Sequence, residues 1–212
     1  MPKEGREPRR VLDIGAGAGV FLKAAQAEGI EAIGLEPSQW LVDWGIKNLG
    51  VKLISGTSRD LADKLIENGG KKFDWITLWD VLEHTESPSE ELKIVNHALE
   101  TDGYLTISYP DISSRLARAF GRKWWFILSV HLFYFTPVTI KRYLEDSGFE
   151  VIFSGRHFQK LNLGYLTFRA EKYLKRFSKI VGSILRFLHL YDVSVPYYAS
   201  QRVAIARKIR EI

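Results

Sequence analysis

The sequence contains no cysteine, and this absence removes several classes of protein at once. Disulfide-stabilised secreted modules, enzymes with a thiol nucleophile and zinc sites built on cysteine are all excluded. Hydrophobic residues make up 46% and charged residues 26% of the 212 residues, which excludes collagen and a disordered chain. The length and composition fit one α/β domain with a sizeable core.

Long apolar runs are also absent. Residues 1–10 are polar and charged, so they lack the apolar segment of a signal peptide. The best apolar run, residues 124–135, is shorter than the about 20 residues needed to cross a membrane. Ser129 and His131 also interrupt it. We therefore expect a cytoplasmic protein, and association with a membrane surface stays open.

Acidic residues are missing from one long part of the chain. Residues 1–111 carry 12 Lys or Arg and 19 Asp or Glu, a net charge of −7. Residues 112–212 carry 18 Lys or Arg and 6 Asp or Glu, a net charge of +12, and 112–144 contain no acid. The first part is typical of a soluble α/β unit, whereas the second is basic and aromatic and indicates a partner.

Apolar runs and helical periodicities alternate along the first half of the chain. This alternation predicts βαβ units and a parallel sheet with ligands bound beyond the carboxyl ends of the strands. The predicted strands are 11–14, 31–35, 51–54, 73–78, 104–109, 149–153 and 202–207. The predicted helices are 20–29, 38–49, 58–67, 88–99, 136–147 and the basic amphipathic stretch 165–191.

A glycine-rich turn follows the first predicted strand. Glycines let the backbone approach a ligand, and the following helix offers its free N–H groups, so the pattern Asp13-x-Gly15-x-Gly17-x-Gly19 indicates a nucleotide site. Val20 stands where the dinucleotide fingerprint has Gly or Ala, which together with Asp13 disfavours a nicotinamide-dependent oxidoreductase. Glu36, at the end of the second strand, is placed to accept hydrogen bonds from ribose hydroxyls.

Five segments in order resemble the class I S-adenosylmethionine-dependent methyltransferases. They read VLDIGAGAGVF, IGLEPS, FDWITLWDVLEH, LETDGYLTISYPD and HLFYFTPVTIKRYLEDSGFEVI. The LWDVLEH and HLFYFTP segments are similar to the branch that includes ubiquinone-pathway O-methyltransferases and other small-molecule methyltransferases. The resemblance covers residues 11–153 and resumes in the last strand at 202–208.

The resemblance implies an α/β, Rossmann-like sheet of seven strands in the order 3-2-1-4-5-7-6, with strand 7 antiparallel. Helices would cover both faces, with helical cap insertions. The whole chain, 1–212, would be a single domain, and its cofactor-binding half would be 10–111. Residues 112–135 and 160–198 would be the insertions, whereas 136–159 and 200–208 would complete the sheet.

The implied cofactor is S-adenosyl-L-methionine. Asp13 would fix the glycine turn or meet the ammonium group of the cofactor, and the turn after strand four would line its other side. Asp80 and Glu83 have a second interpretation as charges that favour a helix N-terminus. The implied cofactor-binding residues are Asp13, Gly15, Ala16, Gly17, Gly19, Glu36, Pro37, Thr57, Trp79, Asp80, Val81 and His84.

Methyl transfer to an O–H or N–H nucleophile needs alignment and usually a base. His131 lies in the sequence among Trp124, Trp125, Phe133 and Phe135 and is the candidate base, with Asp111 as the second candidate. Both also have structural interpretations. No His, Asp or Glu spacing is typical of a metal site, so we predict no metal.

The predicted function is methyl transfer to a small-molecule or lipid-linked acceptor, with O-methylation favoured. A non-catalytic scaffold that binds the cofactor and a tRNA or rRNA methyltransferase remain alternatives. The basic insertions fit a solvated cap or contact with an anionic membrane, and nucleic acid is a third reading that the LWDVLEH segment disfavours. The first strand begins about ten residues in, so the chain is either a fragment or closes its site with the insertions. We make no prediction of oligomeric state.

Overall fold

A seven-stranded sheet forms the centre of the fold in a computed structural model of the chain, which describes residues 9–61 and 70–212 except for the side chains of 172 and 173. The strands, with a separate two-stranded pair, are β1 (Arg10–Ile14), β2 (Glu31–Glu36), β3 (Lys52–Ser55), β4 (Phe73–Trp79), β5 (Leu99–Pro110), β6 (Phe149–Arg156), β7 (Gln159–Asn162), β8 (Ser194–Tyr197) and β9 (Gln201–Lys208).

The order of the strands in the sheet is β3-β2-β1-β4-β5-β9-β6. Strands β1 to β5 pair in parallel, and β9 is antiparallel. Because β9 is the seventh strand of this sheet along the chain, the predicted order 3-2-1-4-5-7-6 is confirmed. The carboxyl ends of β1, β2, β3, β4 and β5 therefore meet at one edge, where the site is expected.

Two helices follow the capping residues that the sequence predicts. Ser38 Oγ accepts a hydrogen bond from the N–H of Leu41, and Gly50 ends the same helix at φ +66°. Thr136 caps a helix that has Pro137 in its first turn. The helices are α1 (Val20–Ala27), α2 (Gln39–Leu49), α3 (Pro88–Ala98), α4 (Arg115–Phe120), α5 (Pro137–Asp146) and α6 (Leu163–Phe187).

The helix predicted over 58–67 lies largely outside the described residues. Its start, Ser58–Asp60, is a 3₁₀ turn. Two further 3₁₀ turns occur at Leu82–His84 and Gly121–Lys123.

The core has two parts, one on each face of the sheet. The larger part joins the strands to α3 and α5 through fully buried side chains such as Leu12, Ile76 and Leu144. The smaller part packs Leu22 of α1 and Val42 of α2 against the sheet. Because alternate strand residues point to opposite faces, this division gives helices on both faces, as the fold prediction requires.

The chain separates into two units. One consists of Met1–Gly155 with Arg202–Ile212, and the other of Arg156–Gln201. The second unit contains the antiparallel pair β7–β8 and α6, whose backbone is kinked at Leu174, where φ is −136° and ψ is 55°. The single domain remains a prediction. In the described part of the chain, every helix is too short or too polar to cross a membrane.

Candidate active site

The glycine turn after β1 has a backbone that only glycine adopts easily. Gly15, Gly17 and Gly19 have φ values of +71°, +55° and +83°. The N–H groups of Gly15 and Ala16 donate to the carbonyl oxygen of Leu35 at 2.8 and 3.0 Å, which ties the turn to β2. The predicted turn therefore lies at the carboxyl edge of the sheet, with Ala16 as part of its anchor.

The first glycine of the turn also allows close packing. A Cβ on Gly15 would lie 2.6 Å from Cγ2 of Val81, in the segment after β4. The turn and the end of β4 thus approach each other because residue 15 has no side chain. This contact brings together two segments that the sequence predicts on opposite sides of the cofactor.

Glu36 joins the glycine turn to the end of β2. Its side chain is buried, and its two oxygens accept hydrogen bonds from the N–H groups of Gly17 and Ser38, both at 2.9 Å. Each carboxylate oxygen has two lone pairs, so both keep an acceptor position. The geometry fits the predicted acceptance of ribose hydroxyls.

Asp13 is a buried carboxyl group beneath the turn. The hydroxyl of Thr77 donates to Asp13 Oδ1 at 2.6 Å. Burial raises the pKa of Asp13 to about 7, although the hydrogen bond from Thr77 acts in the opposite direction. A cation would stabilise the ionised form, so the residue fits the predicted contact with the ammonium group of the cofactor.

The segment after β4 is held in an uncommon conformation. Asp80 has φ +54°, in the left-handed region that is uncommon for residues other than glycine. The N–H of Asp80 donates to Ser108 Oγ at 2.9 Å, and the Ser108 hydroxyl donates back to Asp80 Oδ1 at 2.7 Å. Beside it, the Trp79 ring lies 5.7 Å from the ring of Phe21 in α1. The turn predicted to line the cofactor is therefore fixed from β5 and from α1.

A cavity of about 370 Å³ opens at the carboxyl edge of the sheet. Predicted cofactor residues from four segments line it, namely Gly15, Pro37, Thr57, Val81 and His84. Thr57 also caps the following 3₁₀ turn, because Asp60 accepts hydrogen bonds from its N–H and its hydroxyl. The fold thus gathers residues that are separated by up to about seventy positions in the sequence.

The cavity also has an acidic wall that the sequence did not indicate. Glu86, just before α3, and Glu90 and Glu91 in its first turn line it, and Arg59 lines it from the 3₁₀ turn after β3. Arg59 pairs with Glu86 at 2.5 Å. No motif marks these residues, because their shared position depends on how α3 packs against that turn.

His131 is buried and lies beside a second histidine. The ring centroids of His131 and His84 are 4.7 Å apart, and the Phe126 ring stacks on His131 at 6.3 Å. Nδ1 of His84 lies 2.9 Å from the carbonyl oxygen of Val130. Burial lowers the pKa of His131, and the imidazole of His84 lowers it further, so the neutral form needed by a base predominates at neutral pH.

The aromatic surroundings of His131 differ in part from the sequence expectation. Phe126 and Tyr134 lie beside its ring. Phe135, expected as a wall, instead belongs to the main core, where its ring contacts Tyr109 and Tyr143. The difference arises because residue 135 pairs with the end of β5 and its side chain enters the sheet core.

Glu83 was not among the predicted cofactor-binding residues, and a charge at a helix N-terminus was one interpretation of it. Its carbonyl oxygen accepts hydrogen bonds from the N–H groups of Leu132 and Phe133 at 2.8 and 3.2 Å, so it holds the segment that carries His131. Its carboxyl group is buried, and burial raises its pKa to about 8. Among the residues described, no other residue donates a hydrogen bond to either carboxyl oxygen.

Glu83, His84 and His131 form one cluster. One ligand atom from each lies within 4.8 Å of the others, a set that can share protons or hold a metal ion. The sequence could have shown only the first two, which are adjacent, because the third arrives from a loop almost fifty residues later. The absence of a metal stays a prediction.

Asp111 lies at the end of β5 and is buried. Its Oδ1 accepts hydrogen bonds from the N–H and the hydroxyl of Ser113, at 2.8 and 2.5 Å. The next residue, Ile112, donates its N–H to the carbonyl oxygen of Phe135 at 3.1 Å. Asp111 therefore stabilises the base of the loop 112–135, and its role as a second base stays a prediction.

Comparison with known families agrees with this geometry. The family Methyltransf_23, described as a methyltransferase domain, matches residues 1–153. The chain belongs to this family, and it is an enzyme of the methyltransferase class. Membership confirms the predicted class. S-adenosylmethionine as the cofactor agrees with the similar solved structures, which include SAM-dependent methyltransferases and structures with bound SAM or SAH.

A curated relative and two solved structures illustrate the likeness. The ubiquinone biosynthesis O-methyltransferase of Yersinia enterocolitica is 27% identical over 108 residues, which are 47% of this chain and 42% of that protein. The chain therefore matches less than half the length of that relative.

The solved structures are similar in fold. A SAM-dependent methyltransferase from Archaeoglobus fulgidus has a TM-score of 0.63 and 22% identity, covering 94% of this chain and 86% of the other. Magnesium protoporphyrin IX methyltransferase from Synechocystis PCC 6803 with bound SAH has a TM-score of 0.59 and 17% identity, covering 93% and 73%.

Proposed function

We propose that this enzyme transfers the methyl group of S-adenosylmethionine to a hydroxyl group of a small-molecule or lipid-linked acceptor, with His131 as the base. The observation that carries the proposal is the buried, neutral imidazole of His131 beside His84, which itself lines the cofactor cavity. Asp13, the glycine turn and Glu36 would hold the cofactor. Bound S-adenosylmethionine supplies an electrophilic methyl carbon on a sulfonium leaving group.

The chain's own residues would align the acceptor and take up its proton. The C–O bond would form as the C–S bond breaks, and the C–S electron pair would stay on sulfur, which would leave S-adenosylhomocysteine as the product. The acceptor's proton passes to an imidazole nitrogen of His131, where the lowered pKa keeps that nitrogen unprotonated beforehand. The low exposure of His131 limits the access of water to its imidazole.

The acceptor side is apolar and aromatic. The rings of Phe120, Trp125 and Phe126 pack on one another in the loop 112–135, with centroids 5.4 and 6.3 Å apart. Ile127, Leu128 and other apolar side chains of this loop are exposed. These contacts support an aromatic or lipid-linked acceptor, and the name of the Yersinia relative supports O-methylation.

The test compares His131→Ala with the matched variant His97→Ala, because His97 is exposed on α3. With a panel of phenols and lipid-linked phenols as acceptors, we expect the loss of the base to lower S-adenosylhomocysteine formation by about 10²–10⁴-fold. Cofactor affinity measured by calorimetry should stay unchanged, and His97→Ala should behave like the wild type.

Two results would contradict the proposal. Turnover at the wild-type level in His131→Ala would remove the base assignment. Tight cofactor binding without S-adenosylhomocysteine formation from any acceptor in cell extracts would support the non-catalytic scaffold.

A further inference from the structure

The second half of α6, residues 175–187, exposes a row of large apolar side chains. Their spacing of three and four residues places them on one face of the helix. The exposed fractions are 64% for Phe177, 60% for Ile180, 50% for Ile184 and 82% for Phe187. We name these four residues the apolar face of α6.

The opposite side of this half-helix is the one that packs within its unit. Ser178 is buried, and a Cβ on Gly182 would lie 3.6 Å from Oγ1 of Thr167 in the first half of α6. Small residues thus face inward and large apolar residues outward. A helix that packs only within its own unit turns its large apolar residues inward. The outward apolar face of α6 is therefore suited to a partner.

The charge on α6 identifies the chemistry of that partner. The helix carries six Lys or Arg residues and a single acid, Glu171, and no further acid occurs before Asp192. Arg176 is exposed four residues before Ile180 and therefore lies beside the apolar face, and the preceding residue, Lys175, is also exposed. Exposed Phe and Ile on one side with Lys and Arg alongside are typical of a helix that lies in the surface of an anionic membrane.

A cavity of about 350 Å³ lies between the two halves of α6 and is lined by cationic and hydroxyl groups. Lys179, Arg186, Ser183 and Tyr191 line it. The guanidinium of Arg186 lies 4.5 Å from the centre of the Tyr191 ring, whereas Lys179 pairs with Glu171 at 3.8 Å. Such a set of donors suits the phosphate group of a lipid headgroup.

We propose that the second half of α6 binds the surface of a bilayer that contains anionic phospholipids, with the apolar face among the acyl chains and the basic residues at the phosphates. A second copy of this chain is a poorer occupant, because pairing two such half-helices would bring the four positive residues of each, at 175, 176, 179 and 186, near those of the other. The proposal concerns a binding surface and is independent of the acceptor and of the base.

The experiment is flotation of the full chain with vesicles of phosphatidylcholine alone or mixed with phosphatidylglycerol. We expect flotation only with the mixed vesicles, and its loss at high salt. The double variant Phe177→Ala/Phe187→Ala should weaken binding by about tenfold or more. Phe153→Ala, which removes a phenyl ring that is 49% exposed on β6, is the matched control and should float like the wild type.

A second pair of variants tests the charge. Lys175→Glu/Arg176→Glu should abolish flotation with the anionic vesicles, whereas Lys23→Glu, at an exposed position on α1, should not. Circular dichroism of each variant shows whether the fold is kept.

Three outcomes would overturn the proposal. They are no flotation with anionic vesicles, equal flotation with both vesicle types, and wild-type flotation of the Phe177→Ala/Phe187→Ala protein. If the wild type does not float but sediments as a dimer that this double variant loses, the apolar face is a self-association surface instead.

Discussion

At the scale of single residues, Glu83 performs two separate tasks. Its backbone carbonyl holds Leu132 and Phe133, while its buried carboxyl group lies with His84 and His131. The two tasks differ in their sensitivity to mutation, because a Gln at position 83 keeps the backbone contacts and removes the acid. The three side chains of the cluster are suited either to proton sharing or to metal binding, and removal of divalent metals distinguishes the two.

We predict that methyl transfer survives removal of divalent metals. In-line transfer from a sulfonium needs alignment and a dry site, and Nδ1 of His84 already lies 2.9 Å from the Val130 carbonyl oxygen. The rate of S-adenosylhomocysteine formation should be equal before and after dialysis against a chelator. A loss that Mg²⁺ or Zn²⁺ restores in the wild type, but not in Glu83→Gln, would show a metal site at the cluster.

At the scale of elements, the glycine turn depends on space as well as on φ. Gly15→Ala adds a methyl group 2.6 Å from Cγ2 of Val81 at a φ of +71°, so we expect it to lower the free energy of unfolding by about 3 kcal/mol. Gly29→Ala is the matched control, because φ is +78° there and nothing lies within 4 Å. The control should cost only about 1 kcal/mol.

Urea denaturation of four proteins checks this prediction. These are the wild type, both single variants and Gly15→Ala/Val81→Ala. Removing the Val81 methyl groups in the double variant should recover part of the free energy of unfolding that Gly15→Ala loses. Equal losses of unfolding free energy in Gly15→Ala and Gly29→Ala would mean that the positive φ alone causes the loss. The contact with Val81 would then contribute nothing.

The elements that the sequence predicted well are those determined by neighbouring residues. Ser38, Gly50 and Thr136 cap their helices through contacts within four residues. The alternation of strands and helices predicted the parallel sheet, whereas the order of its strands came from the resemblance to the methyltransferases. The kink of α6 at Leu174 was not predicted, because neither proline nor glycine stands there.

The site was predictable only where a motif carried it. The glycine turn, Glu36 and the end of β4 belong to such motifs. The burial of Glu83 and the acidic wall of the cavity depend instead on which loop or helix packs on them. Phe135 was misassigned for the same reason, because its pairing with β5 is a long-range event.

At the scale of the whole molecule, the charge division separates two sets of candidate functional segments. The acidic part, 1–111, contributes the candidate cofactor cavity with three glutamates, which suits the proposed ligand with its two cationic groups. Much of the basic excess belongs to α6 and the loop 112–135. Buried carboxylates that lack a cationic partner should lower the free energy of unfolding of the protein until a cationic ligand binds.

We predict that Asp13→Asn stabilises the ligand-free protein at alkaline pH. The folded-state pKa of Asp13 is about 7 and its ordinary value is 3.8, so the folded state binds more protons than the unfolded state between these values. Stability is therefore lost as pH rises through that window, by about 4 kcal/mol. The neutral Asn removes this loss and still accepts the hydrogen bond from Thr77.

Urea denaturation at pH 5 and pH 8 measures the effect. The gain of Asp13→Asn over the wild type should be larger at pH 8, while Asp43→Asn, at an exposed position on α2, should match the wild type. Adding S-adenosylmethionine should stabilise the wild type and not Asp13→Asn, because the ammonium group then has no carboxylate partner. A variant that is less stable than the wild type at pH 8, or that keeps full cofactor affinity, would show that Asp13 only fixes the turn.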